Sequence, residues 1–193
     1  MKIYHLRVKA LPMSVDERKA VLTELEEALK RFIEDRRSYL LIPEIRTNLG
    51  YSLPDPKGVG DVAAIPGRLT VAFNRVIYCL PPAFGASDHV ARVIITANKH
   101  DRNVRSAMNL ALYPQFKERL NAYVFDRRRE PQGQKNVEGR TMNFMVESAF
   151  QETGRIPDYI LDLGDYGKEP GTFVLGRNPM EVVEKALFLL TLL

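Results

Sequence analysis

The 193-residue chain contains a single cysteine, Cys79, so no internal disulfide can form and a reducing, cytoplasmic setting is expected. Cys79 lies in the apolar stretch 76–80, which reads as a buried structural thiol rather than a nucleophile. Histidine is nearly as scarce. His5, His89 and His100 are scattered, and with no cysteine cluster beside them no zinc site of the usual spacing is visible. Long hydrophobic runs are missing too. Lys2, His5, Arg7 and Lys9 interrupt the N-terminal stretch, and residues 186–193 are too few to cross a bilayer, so no membrane partner is expected. There is no internal repeat, linker or low-complexity segment. No Walker sequence, dinucleotide fingerprint, nucleophile elbow or H-E-x-x-H helix is present, so the chemistries those motifs mark are not expected.

What remains is ordinary globular material, 45% hydrophobic and 27% charged, sized for one domain over residues 1–193. The net charge of +4 and pI near 9.2 come largely from Arg127-Arg128-Arg129 and Arg36-Arg37. No nucleic-acid-binding motif accompanies these runs, so no nucleic-acid partner is expected, and a phosphorylated small substrate suits the charge equally well.

Ser14 and Glu17 form a capping box before apolar residues at helical spacing (Val21, Leu22, Leu25, Leu29, Phe32, Ile33), which predicts a helix over 15–36. Residues 2–9 suit a strand or extended arm. Strands are predicted at 48–53, within 69–80 with a turn at Asn74-Arg75, and at 109–113, 122–125, 159–163 and 173–175. Helices are predicted at 88–99, 116–120 and 141–153, and from Pro179 onward. Such interleaving gives an α/β domain, and connections too short for helical crossovers make its sheet mixed. The apolar tail 187–193 exceeds what one core helix needs, which suggests a homo-oligomer contact.

Three segments could carry chemistry. In 61–68, Pro66 and Gly67 force a turn with Arg68 at its exit, where a guanidinium can grip phosphate oxygens. Gly85-Ala86-Ser87 precedes a helix and can offer backbone amides to an anion, with His89 and Arg92 on one face of that helix. In 162–170, Asp162 and Asp165 flank a glycine and could hold a hydrated Mg²⁺, while Lys168 is available to a phosphate. The run 126–130 reads as a solvated charged loop.

In chain order, the segment 48–53, DVAAIPGR (61–68), FGASDHVARVIITA (84–97), AMN (107–109), FDRRREP (125–131), DLGDYGKEP (162–170) and LGRNPMEVVEK (175–185) resemble the ThiN-type thiamine-phosphate synthase family. Between Tyr113 and Phe125 the chain is shorter than the family's usual connection. The resemblance implies a three-layer α/β/α sandwich with a mixed sheet, similar to class II aldolase-type domains, here as a stand-alone synthase domain. It implies condensation of hydroxymethylpyrimidine diphosphate with hydroxyethylthiazole phosphate, with release of pyrophosphate. By motif, the essential arginine and histidine fall at Arg68 and His89. Ser87, Gly85, Arg92, Asn48 and Lys168 are expected at the phosphates, and Asp162 and Asp165 at Mg²⁺. The alternative is a non-catalytic domain that senses thiamine phosphate.

Overall fold

The structure, a computed structural model, describes residues 15–130 and 140–193; the expected arm at 2–9 and the Ser14 cap lie outside them. Helix α1 (Val15–Glu34) buries Val21, Leu25, Ala28, Leu29 and Phe32, the stripe that its 3.6-residue period puts on one side. The other long helices are α2 (Asp88–His100), α4 (Arg140–Thr153) and α5 (Pro179–Leu189), with a short α3 (Pro114–Arg119) between them. Pro179 opens α5, and Asn178 caps it by accepting the Glu181 N–H.

Strands β1 (Leu49–Ser52), β2 (Val62–Ala64), β5 (Ala83–Phe84), β6 (Ser106–Ala111), β7 (Tyr123–Phe125), β8 (Tyr159–Asp162) and β9 (Gly171–Gly176) form one sheet. Their order is β5-β2-β1-β6-β9-β8-β7. The pairings are antiparallel except for β7 with β8, whose crossover contains α4. The expected mixed sheet is therefore present. Side-chain alternation divides its core in two. Met108, Leu110, Leu161 and Val174 face α1 and α5, whereas Ala107, Ile160, Phe173 and Leu175 face α2 and α4. This is a three-layer α/β/α sandwich. At Gly50 a Cβ would lie 2.5 Å from Val90 Cγ1, so the missing side chain lets α2 sit tightly on β1.

Three expectations change. The turn in 69–80 is Phe73-Asn74, both with positive φ (49° and 55°), joining β3 (Thr70–Ala72) to β4 (Arg75–Ile77). That ribbon stands apart from the main sheet and sends only Val76 inward, so Cys79 beyond it is exposed rather than buried. At the C-terminus Leu187, Leu189 and Leu190 are consumed by the chain's own core, leaving Phe188 and Leu193 as the half-exposed apolar residues of the tail. The tail's hydrophobicity thus needs no subunit contact to explain it. No helix among the described residues is long and apolar enough to cross a membrane.

Candidate active site

Turns built by local sequence deliver the cationic groups. Arg68 N–H donates to Ile65 C=O at 3.1 Å, closing a turn with Pro66 in its second position and Gly67 (φ 78°) in its third. This is type II geometry, which proline and glycine favour in those positions. Arg68 itself holds φ 67°, an unfavourable backbone for a side-chain-bearing residue, and the surroundings compensate. The Asn48 amide clamps both main-chain groups of Ile65: Oδ1 accepts its N–H at 2.8 Å and Nδ2 donates to its C=O at 3.0 Å. Leu69 and Thr47 exchange main-chain hydrogen bonds, and Arg68 Nη1 donates to Ile45 C=O at 2.7 Å. Asn48 is therefore at the expected place, but its side chain is occupied in shaping the turn that carries Arg68.

Gly85 (φ 76°) turns the chain from β5 into α2, and its N–H is already donated to Val62 C=O at 2.9 Å. It shapes the turn without offering that amide to an anion. Ser87 stands at the N-cap of α2 with its side chain making no capping bond, which leaves the hydroxyl and the first-turn amides for something else. His89 follows in that first turn.

A cleft of about 670 Å³ opens at one end of the sheet on the α2/α4 side, a size suited to a small-molecule ligand. It gathers Arg68, Ser87, His89, Asn48, Lys168 and Asp162 from four separate stretches of chain. Arg92 and Asp165 do not line it. Arg92 Nε is held by Asp88 at 2.6 Å, and the Asp165 carboxylate, exposed, accepts the Tyr166 N–H at 2.8 Å. The first turns of α2 (Ser87, His89, Val90) and α4 (Thr141, Met142) both border the cleft, so two helix N-termini contribute positive potential. The charged lining comprises Arg68, Arg127 and Lys168 against Asp162 and Glu169.

Those carboxylates are committed. Arg127 grips Asp162 in a fork, Nε at 2.9 and 3.0 Å from its two oxygens and Nη2 at 2.6 Å from Oδ2. Asp162 Oδ1 also accepts the Gly164 N–H at 2.9 Å. With its side chain 2% exposed and both oxygens engaged, Asp162 does not fit the expected Mg²⁺ ligand. Nor does Asp165 offer a second ligand beside it, and among the described residues no cluster of three or more His, Cys, Asp or Glu could hold a metal ion. Glu169 is likewise occupied, accepting the N–H groups of Glu44 and Ile45 at 2.9 Å each. Lys168 has no ion-pair partner among the described residues and stands as an exposed cation of the lining.

Arg127, Glu169, Asn109 and Thr141 were not expected here. Arg127 sits in what reads as a solvated arginine run, yet it is 14% exposed because a short 3-10 turn (Arg127–Arg129) folds it onto Asp162. The available clue was an aspartate on an apolar strand, which needs a partner when buried. Asn109 accepts the Asn48 N–H and donates to Arg46 C=O, bracing the same loop from β6.

Fold and cleft together define a small α/β domain with a cation-bearing cleft where two helix N-termini meet. The model of the thiamine-phosphate synthase ThiN family matches residues 24–187, and the chain belongs to that family. Thiamine-phosphate synthase ThiN of Methanothermobacter thermautotrophicus is 37% identical over 160 residues, covering 78% of this chain and 82% of that protein. The bifunctional thiamine biosynthesis protein ThiDN of Methanocaldococcus jannaschii is 37% identical over 159 residues, 80% of this chain but 37% of its own length. Among solved structures, the C-terminal domain of a phosphomethylpyrimidine kinase matches with TM-score 0.83 and 38% identity, covering 90% of this chain and 100% of that one. Membership places the chain among the transferases of thiamine biosynthesis.

Proposed function

We propose that the chain is a thiamine-phosphate synthase that joins hydroxymethylpyrimidine diphosphate to hydroxyethylthiazole phosphate and releases pyrophosphate. The observation that carries the reading is the convergence of Arg68, Lys168 and the His89-bearing N-terminus of α2 on one cleft, in a chain of this family. As the methylene–oxygen bond of the pyrimidine substrate breaks, negative charge grows on the departing diphosphate, and the thiazole nitrogen closes the new carbon–nitrogen bond. A protein accelerates such a step by aligning the partners and meeting the developing charge with groups fixed beforehand. Arg68 takes the role of diphosphate clamp, held by its turn and by Ile45. His89 stabilises or protonates the leaving group, and Ser87 with the first-turn amides of α2 completes the cradle.

Arg92 and Asp165 are left outside this assignment, and Asp162 serves to hold Arg127. Magnesium belongs in the assay as a counter-ion of the diphosphate, with no protein carboxylate assigned to it. The test is to mix purified protein with both substrates and Mg²⁺ and measure thiamine phosphate. Arg68→Ala and His89→Ala should each lower turnover by about 10²–10³-fold, as loss of a transition-state donor does elsewhere. Well-folded protein that binds thiamine phosphate tightly and makes none would instead identify a sensor.

A further inference from the structure

The loop between β8 and β9 reaches across to the segment that tethers Arg68. Glu169 Oε1 and Oε2 accept the consecutive N–H groups of Glu44 and Ile45, each at 2.9 Å. On the other side of the same residue, Ile45 C=O accepts Arg68 Nη1 at 2.7 Å. Between them the chain turns sharply: Arg46 has φ 69°, and its N–H donates to Pro43 C=O at 2.9 Å. Such a backbone persists only when its neighbours hold it. Glu169 holds the N-terminal side of this turn, and Asn109 Nδ2 braces Arg46 C=O at 2.9 Å.

From this we infer that Glu169 is the positioning residue for Arg68, acting through Ile45, on the functional reading given above. One guanidinium N–H is spent on Ile45, and the rest of the fork has no other hydrogen-bond partner among the described residues. A side chain as long as arginine would otherwise sample many rotamers, and fixing it beforehand is what makes a charge effective at a transition state. A carboxylate with two backbone donors suits this task because Glu169 interacts with the loop rather than pairing directly with Arg68 and quenching its charge.

The test is a double-mutant cycle read in turnover and in binding of inorganic pyrophosphate by calorimetry. Glu169→Gln is isosteric but sets an amide NH₂ against one of the two backbone N–H donors. It should lower kcat by about 10–100-fold through misplacement of Arg68, with the KM for the thiazole phosphate little changed. In an Arg68→Ala background the same substitution should change kcat and pyrophosphate affinity by less than about twofold, because the group it positions is gone. A second measurement uses the unaltered protein: pyrophosphate should slow hydrogen exchange at the Glu44 and Ile45 amides, since coupling between two sites is reciprocal. Full multiplicative effects in the double variant, tighter pyrophosphate binding by Glu169→Gln, or unchanged exchange at those amides would each overturn the assignment while leaving an active synthase. Unaltered protein that neither turns over nor binds pyrophosphate would overturn the functional reading, and this inference with it.

Discussion

Removing one member of the Arg127–Asp162 pair should be among the most damaging single changes at the cleft. Asp162→Leu strands a guanidinium whose side chain is 14% exposed and which loses contacts at 2.6, 2.9 and 3.0 Å. Arg127→Met strands a carboxylate that is 2% exposed and keeps the Gly164 N–H. Breaking a buried pair in this way costs about 3–5 kcal/mol, and Arg127→Met should fall at the upper end because its orphan is the more deeply buried. For a chain of this size, about 2–4 °C of melting temperature per kcal/mol converts that to a fall of roughly 6–20 °C. The double variant Arg127→Met/Asp162→Leu leaves neither charge alone and should be more stable than either single variant. Urea unfolding of the four proteins checks this. Losses below about 1 kcal/mol for both single variants, the range of exposed pairs, would refute the reasoning. So would strict additivity in the cycle.

Gly164→Ala should disturb the site through the same loop. Its φ is 72°, and an added Cβ would meet Lys168 O at 2.5 Å and Pro170 N at 2.9 Å, backbone atoms that cannot swing aside. Pyrophosphate affinity should fall sharply, whereas Gly167→Ala, with φ 69° but open space around it, should cost only about 1–2 kcal/mol of backbone strain; equal effects would contradict this. Acid stability should depend on Glu181. Burial raises its pKa, but hydrogen bonds from Lys185 and Arg177 and the Lys185 charge outweigh that and bring it down to about 2. A depressed carboxylate stabilises the fold fully above its ordinary value of 4.5, and that contribution disappears as pH falls through about 2. Glu181→Gln should therefore lower the melting temperature at neutral pH and converge with the unaltered protein near pH 2; a pH-independent difference would exclude the linkage.

Much of this was legible in the chain before folding. Apolar periodicity in 15–36 and 88–99 identifies α1 and α2 because a helix that must cover a sheet repeats its buried face every third or fourth residue. Pro66-Gly67 announces the turn that presents Arg68, and Gly85 before Ser87 announces the start of α2, because these conformations favour few other residues. The ordered motifs fix the family. These are local signals, and local sequence suffices for them.

The partners of the charges were settled only by the tertiary structure. Asp162 reads as a metal ligand until the turn after β7 lays Arg127 along it. Arg127 reads as solvated until the parallel pairing of β7 with β8 brings residues 35 positions apart within 2.6 Å. Glu169 lies 124 residues from Ile45, and no spacing rule connects them. Cys79 and the C-terminal leucines exchange their expected environments for the same reason: hydrophobicity says that a residue can be buried, and the topology decides which ones find a neighbour. Sequence determined most of the elements, the turn that carries Arg68 and the start of the helix that carries His89. The sheet order decided which charges neutralise one another, and so which cations remain for a substrate.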